Sequence, residues 1–145
     1  MQLHVIARGK IGRSPEAELV DRYARRLETG SIGPLRLTEL PDRGGTPPPV
    51  PPGGLRNVVL DERGRVLASS ALAQVLERWR DDGVREVRFW IGAADGHDAA
   101  LRDSADLLLG FGAMTWPHML ARAMLAEQLW RAASILSGHP YHREG

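Results

Sequence analysis

The chain has 145 residues, 43% hydrophobic and 26% charged, with a formal net charge of +1 and no cysteine. That length suits one domain with a sizeable core, and the lack of cysteine excludes disulfides and thiolate chemistry. No apolar run approaches membrane-spanning length. A charge this near zero argues against RNA binding by bulk cationic attraction, so any RNA contact must come from a local patch, or from a dimer that concentrates two; composition by itself favours the alternative, no nucleic acid at all.

Residues 3–7 predict a first buried strand, and Arg8 and Lys10 then interrupt the apolar start, so no signal peptide is expected and the cytoplasm is the expected location. Ser14 before Pro15 predicts a capped helix start. Glu16 and Glu18 sit near its positive end and Arg22, Arg25 and Arg26 toward its negative end, with Val20, Ala24 and Leu27 as the apolar stripe, flanked by Leu19 and Tyr23. Residues 35–40 predict a second strand. Residues 41–54 then hold six prolines and four glycines, a composition that carries neither a helix nor a central strand. It reads as a semi-rigid connection inside a single domain spanning 1–145, because neither flank is long enough to fold alone.

Residues 57–60 predict a third strand, with a turn at Glu62-Arg63-Gly64. Ser69 or Ser70 is expected to cap a helix marked by Leu72, Val75, Leu76 and Trp79 and closed by Gly83. Residues 87–91 predict a fourth strand, and Asp98 caps a helix running through Leu101, Ala105 and Leu108. Residues 111–115 read as a last short strand or loop before a long helix from Pro117 to about Ser137, with Leu120, Ala123, Met124 and Ile135 as its buried seam. Alternation of strands and helices predicts an α/β fold, a mostly parallel sheet with helices on both faces.

Three segments carry candidate chemistry. Ile91-Gly92-Ala93-Ala94-Asp95-Gly96 places small residues after a strand, where open α/β sheets bind ligands, although the Rossmann glycine pattern is missing. Phe111-Gly112-Ala113-Met114-Thr115-Trp116-Pro117 can wrap a cofactor, with Thr115 as the expected cap of the long helix; the bland alternative puts Phe111, Met114 and Trp116 in the core. His118 and Arg122 share a helix face, whereas Glu127 and Arg131 read as a solvated pair. The tail Gly138-His139-Pro140-Tyr141-His142-Arg143-Glu144 gathers charged and aromatic groups where termini are usually bland. Its His-x-x-His has no carboxylate or thiolate at a recognised spacing, so no metal is expected.

With Leu60-Asp61-Glu62-Arg63-Gly64, these segments closely resemble the RlmH-type ribosomal RNA large-subunit methyltransferases of the SPOUT superfamily, over nearly the whole chain. The resemblance implies a SPOUT fold with a C-terminal trefoil knot, a homodimer, no membrane, and methylation of N3 of a pseudouridine in 23S rRNA on the assembled ribosome, with S-adenosylmethionine (SAM) as donor. Cofactor contacts would fall at Leu60, Gly92, Ala93, Gly112, Ala113, Met114, Thr115, Trp116 and Pro117. His139, Tyr141, His142 and Arg143 would sit near the target base, reaching the cofactor of the other subunit. His142 or His139 would take the N3 proton, and Arg143, with Arg122 or Arg131 as other candidates, would face the developing negative charge.

Two departures from the family pattern stand out: Ala93 replaces a usual glycine, and residues 41–54 replace a usual helix. They motivate a rival reading, a SAM- or ribosome-binding relative with impaired catalysis. An unrelated flavodoxin-like nucleotide-binding domain is the third possibility.

Overall fold

The protein is described by a computed structural model covering residues 1–92 and 97–143. Five strands, β1 (Gln2–Arg8), β2 (Leu35–Leu40), β3 (Leu55–Val66), β4 (Glu86–Ile91) and β5 (Leu107–Gly110), form a parallel sheet in the order β2-β1-β4-β3-β5. The helices are α1 (Pro15–Arg26), α2 (Ser69–Asp81), the short α3 (Ala99–Asp103) and α4 (His118–Ser137). Parallel neighbours need crossover connections, and helices supply them everywhere except between β2 and β3.

That exception is residues 41–54, which contain neither helix nor strand, as their composition predicts. The segment must return from the carboxyl end of β2 to the amino end of β3 while crossing two intervening strands. An extended Pro-rich chain, rising about 3.1 Å per residue, covers that distance but has no internal hydrogen bonds. Arg88 of β4 supplies partners, donating to the carbonyls of Pro48 (2.9 Å) and Pro49 (2.5 Å) and to the Glu86 carboxylate. His4 and Thr38 share this sheet face, joined at 2.6 Å, and His4 Nδ1 lies 3.6 Å from Glu86.

Successive strand residues alternate between faces. Leu3, Val5 and Ala7 of β1, Val58 of β3, Val87, Phe89 and Ile91 of β4 and Leu107 and Leu109 of β5 point the other way, into a core with Leu72, Leu76, Leu125 and Leu129 from the helices. Helix α4 packs against both α1 and α2. Being apolar nearly all round, it has no period that singles out a face. Of the expected seam only Ala123 is buried; Leu125, Ala126, Leu129, Ala132 and Ala133 form the deep contacts instead.

Other differences have local causes. Strand β3 continues to Val66 through the expected turn, because the chain bulges over residues 61–64 and rejoins β5, with Leu60 and Arg65 both opposite Leu109. Ala68, not a serine, occupies the cap of α2, since Ser69 Oγ donates to Gln128 of α4 instead (2.6 Å). Asp98 does cap α3, but that helix stops at Asp103. Asp106 then accepts from the Asn57 amide and donates its own N–H to the Asn57 carbonyl, turning residues 107–110 into β5 beside β3. Leu108 is therefore in the strand, and 111–115 are loop. The cap of α4 is Pro117, without a side-chain bond; Thr115 donates to Glu62 instead (3.2 Å).

Candidate functional site

The carboxyl ends of β3, β4 and β5 open into a cleft of about 480 Å³, the place where open α/β sheets bind ligands and within the size range of small-molecule sites. Leu60, Ile91, Leu109 and Phe111 supply apolar walls, and Asp61 and Glu62 an acidic side. The bulge that carries Asp61 and Glu62 is held by Gly64, whose missing side chain lets β3 lie directly on the β5 backbone. Gly112 has φ +101°, a conformation that favours glycine, and turns loop 111–117 over the cleft.

The electrostatics are organised. Hydrogen bonds from the Arg63 side chain and amide hold the Asp61 carboxyl below the usual carboxylate range against an opposing effect of burial, so it is an anion at neutral pH. Thr115 ties Glu62 to loop 111–117. His97 Nε2–H donates to the Leu60 carbonyl (3.0 Å) and burial pushes its pKa down, leaving the ring neutral; Arg102 in turn binds the His97 carbonyl (2.6 Å).

Of the expected cofactor residues, Leu60, Gly92, Gly112, Met114, Thr115 and Trp116 line the cleft. Ala113 and Pro117 belong to the same loop without lining it, and Ala93 lies outside the described residues. Met114 is 74% and Trp116 40% exposed, so neither is a core residue. A methionine and a tryptophan held in solvent beside an apolar cleft are placed to close over a ligand. Asp61, Glu62, His97 and Arg102 also line the cleft and were not singled out from the sequence. For Asp61 and Glu62 the signal was the Leu60–Gly64 landmark, whose polar residues read as an ordinary turn because only the register break turns them inward; His97 and Arg102 carried no such signal.

The expected catalytic residues lie elsewhere on their own chain. Gly138 ends α4 in a left-handed conformation and reverses the tail onto that helix. Trp130 packs edge-on against His139 and is tilted against Tyr141, while the Arg131 guanidinium sits 4.9 Å from the Tyr141 ring centre. Glu127 receives both the Tyr141 hydroxyl (3.0 Å) and Arg131, and Arg131 donates to His142 Nδ1 (3.1 Å). The Glu127–Arg131 pair is thus the anchor of the tail and not a solvated surface pair. Burial, with hydrogen bonds to Tyr23 and Glu127, raises the Tyr141 pKa, so its hydroxyl stays protonated. Arg143 is exposed.

Ala121 marks the cleft on α4; Glu127 and Arg131 lie six and ten residues on, about 9 and 15 Å along the helix. None of the described tail residues therefore lines the cleft of its own chain. Arg122, another candidate cation, is 1% exposed and bound to Glu39, so it presents no charge there. Beside the tail anchor, a second groove of about 440 Å³ runs between α1 and α4, lined by Leu19, Tyr23, Leu120, Met124 and Glu127.

Known proteins resemble this chain in sequence and in fold. The family described as "Predicted SPOUT methyltransferase" matches residues 50–142. A protein named ribosomal RNA large subunit methyltransferase H from Novosphingobium aromaticivorans is 74% identical over 145 residues, covering 100% of both chains. Proteins of the same name from Rhizorhabdus wittichii and Erythrobacter litoralis are 66% and 63% identical, again over 100% of both. A probable methylase family protein of known structure from Haemophilus influenzae aligns with a TM-score of 0.51 at 10% identity, covering 96% of this chain and 67% of that one, a likeness of fold.

Proposed function

The chain belongs to the SPOUT methyltransferase family, and on that premise we propose that it methylates N3 of a pseudouridine in 23S rRNA on the assembled ribosome, with SAM as donor, as a knotted homodimer in the cytoplasm. The observation that carries this reading is the cleft flanked by the exposed Met114 and Trp116, set against a tail of His139, Tyr141, His142 and Arg143 that its own cleft does not receive. Among the described residues no helix is long and apolar enough to cross a membrane.

The residues present fit the donor. Apolar walls suit an adenine ring, and the Asp61 and Glu62 carboxylates suit the positive charges of a sulfonium and an ammonium. When bound, SAM supplies an electrophilic methyl group on a sulfonium. The protein's contribution is positioning and charge. Leu60, held by His97, and Gly112 offer backbone groups at the cleft, and Met114 and Trp116 are placed to cover a bound donor.

The target N3–H is a weak acid whose proton must leave as the bond to carbon forms. His142 or His139 takes it, and Arg143 faces the negative charge. Tyr141, kept protonated, is a hydrogen-bond donor and not the base. Because the tail is anchored 9 to 15 Å along α4 from the cleft, the tail that completes each site belongs to a second copy; the apolar groove between α1 and α4, with Val66 71% exposed at its edge, offers that copy a surface.

The rival, a non-catalytic relative, drew on Ala93, which lies outside the described residues, and on the missing helix at 41–54. The Novosphingobium relative is equally short over its whole length, so the short connection is no private defect of this chain. The test is transfer of labelled methyl from SAM to unmodified ribosomes, with the nucleotide mapped. Label on N3 of one large-subunit pseudouridine is expected, and loss of that label in Arg143→Ala with SAM binding retained. No label, with an active relative as control, sinks the reading in favour of the non-catalytic one.

A further inference from the structure

The net charge of +1 leaves open how this chain holds a polyanion, and the edge of the sheet at the carboxyl end of β1 answers it. Loop 9–13 leaves β1 between two anchors. Inward, Ile11 packs against the cluster of Val20, Ala123 and Ala126. Beneath it, Glu39 Oε2 accepts from both the Ile11 amide (2.8 Å) and the buried Arg122 (2.6 Å), whose other nitrogen donates to the Gly9 carbonyl (3.2 Å). Burial pushes the Glu39 carboxyl up, but hydrogen bonds from Arg122 and Ile11 and the charge of Lys10 outweigh it, so the clamp is ionic at neutral pH.

Outward, Lys10 and Arg13 are exposed. Arg8 donates to the carbonyls of Pro41 and Gly44, neither of them charged, and so ties the loop carrying exposed Arg43 to the same edge. Asp42 lies beside Gly9 and outside the clamp. Arg8, Lys10 and Arg13 are therefore gathered on a single edge. That edge adjoins the cleft, since the position a side chain on Gly9 would take lies 3.8 Å from His118, a cleft residue.

We propose that loop 9–13, with Arg8, is the surface on which backbone phosphates of the RNA substrate dock beside the cleft, and that the Arg122–Glu39 clamp positions it. Phosphate contacts fix register and orientation without reading sequence, which is what a small enzyme with a separate site for the base requires. A clamp built beneath the loop keeps Lys10 and Arg13 at a fixed distance from the cleft. The proposal rests on the RNA methyltransferase reading above.

Lys10→Ala/Arg13→Ala removes two exposed charges and should fold normally. With ribosomes as substrate, its KM should rise roughly tenfold with kcat within about twofold, and the slope of log(kcat/KM) against log[salt] should fall by about 0.7 to 0.9 per lost cation. SAM binding by calorimetry should be unchanged. Arg78→Ala/Arg85→Ala removes equal charge from the opposite end of the sheet and should alter neither. Glu39→Gln tests the clamp: it should raise KM in the same way, and a fall in kcat with constant KM would overturn that part.

Unchanged KM and slope in Lys10→Ala/Arg13→Ala, or an equal loss in the control, overturns the surface. Should the unsubstituted protein transfer no methyl, binding to ribosomal particles over the same salt series still reads the surface. Loss of binding confined to Lys10→Ala/Arg13→Ala would then support it while the reaction assignment fails. No binding by the unsubstituted protein overturns both.

Discussion

Replacing Gly64 with alanine should prise apart the two strands that frame the cleft. A Cβ at this position would lie 2.6 Å from the Leu109 carbonyl carbon, 2.7 Å from the Gly110 nitrogen and 2.8 Å from the Leu108 carbonyl carbon. All three are backbone atoms of β5, so no change of rotamer relieves the overlap. Restoring ordinary contact at 3.4 Å requires the strands to separate by about 0.8 Å and stretches the hydrogen bonds between them. Overpacking of this kind costs about 1–3 kcal/mol, and collision with backbone points to the upper half of that range. With a urea dependence of about 2 kcal/mol per molar, the unfolding midpoint should fall by roughly 1 M. Circular dichroism at fixed protein concentration measures it, since an associating protein has concentration-dependent stability. Calorimetry with SAM should show weakened binding, because Leu60 and Leu109 on the parted strands line the cleft. Gly112→Ala makes the contrast: open space surrounds its Cβ, so only backbone strain at that loop is added. A Gly64→Ala protein with an unchanged midpoint and unchanged affinity would refute the close crossing of β3 on β5.

Further expectations can be checked independently. Mixing a cleft-blocked Gly112→Val protein with a His142→Ala/Arg143→Ala protein should recover about a quarter of full activity, since half of randomly mixed symmetric dimers hold one complete site of two; no recovery after subunit exchange would place the tail at its own cleft. Arg88→Ala strands the buried Glu86 carboxylate and the Pro48 and Pro49 carbonyls, and should destabilise by about 3–5 kcal/mol in urea titrations; a loss under about 1 kcal/mol would show that the strap does not depend on it. Burial lowers the pKa of both His4 and His97 from 6.5. The unfolded chain therefore takes up protons below about pH 6.5 that the folded chain refuses, so stability present above that pH is lost as pH falls through the folded values. His4→Gln should flatten this acid slope, and an unchanged slope would remove His4 from the account.

Much of the lining of the candidate cleft was legible without coordinates. Residues 91–92 and 111–117 announced themselves through small residues and a Thr-Trp-Pro run after strands, and six of the nine expected cofactor residues do line the cleft. Asp61 and Glu62 did not, because a polar residue in a turn looks the same whether it faces solvent or a cleft, and nothing in the spacing of His97 and Arg102 marks them. The Glu127–Arg131 pair shows the limit from the other side. Spacing at four residues on a helix fixes that they meet, but not that Tyr141 and His142 fold back to join them.

Local chemistry, then, was written in the chain itself. Ser14 and Pro15 start α1, Asp98 caps α3, Gly138 ends α4, and the prolines of 41–54 exclude a helix, because each effect acts within a few residues. The tertiary structure alone decided which face of α4 is buried, where β5 begins, that Arg88 holds the Pro-rich strap and that Arg122 clamps loop 9–13. Those outcomes depend on partners 39 to 113 residues away in the chain, and an apolar or charged side chain carries no mark of which distant group it will meet.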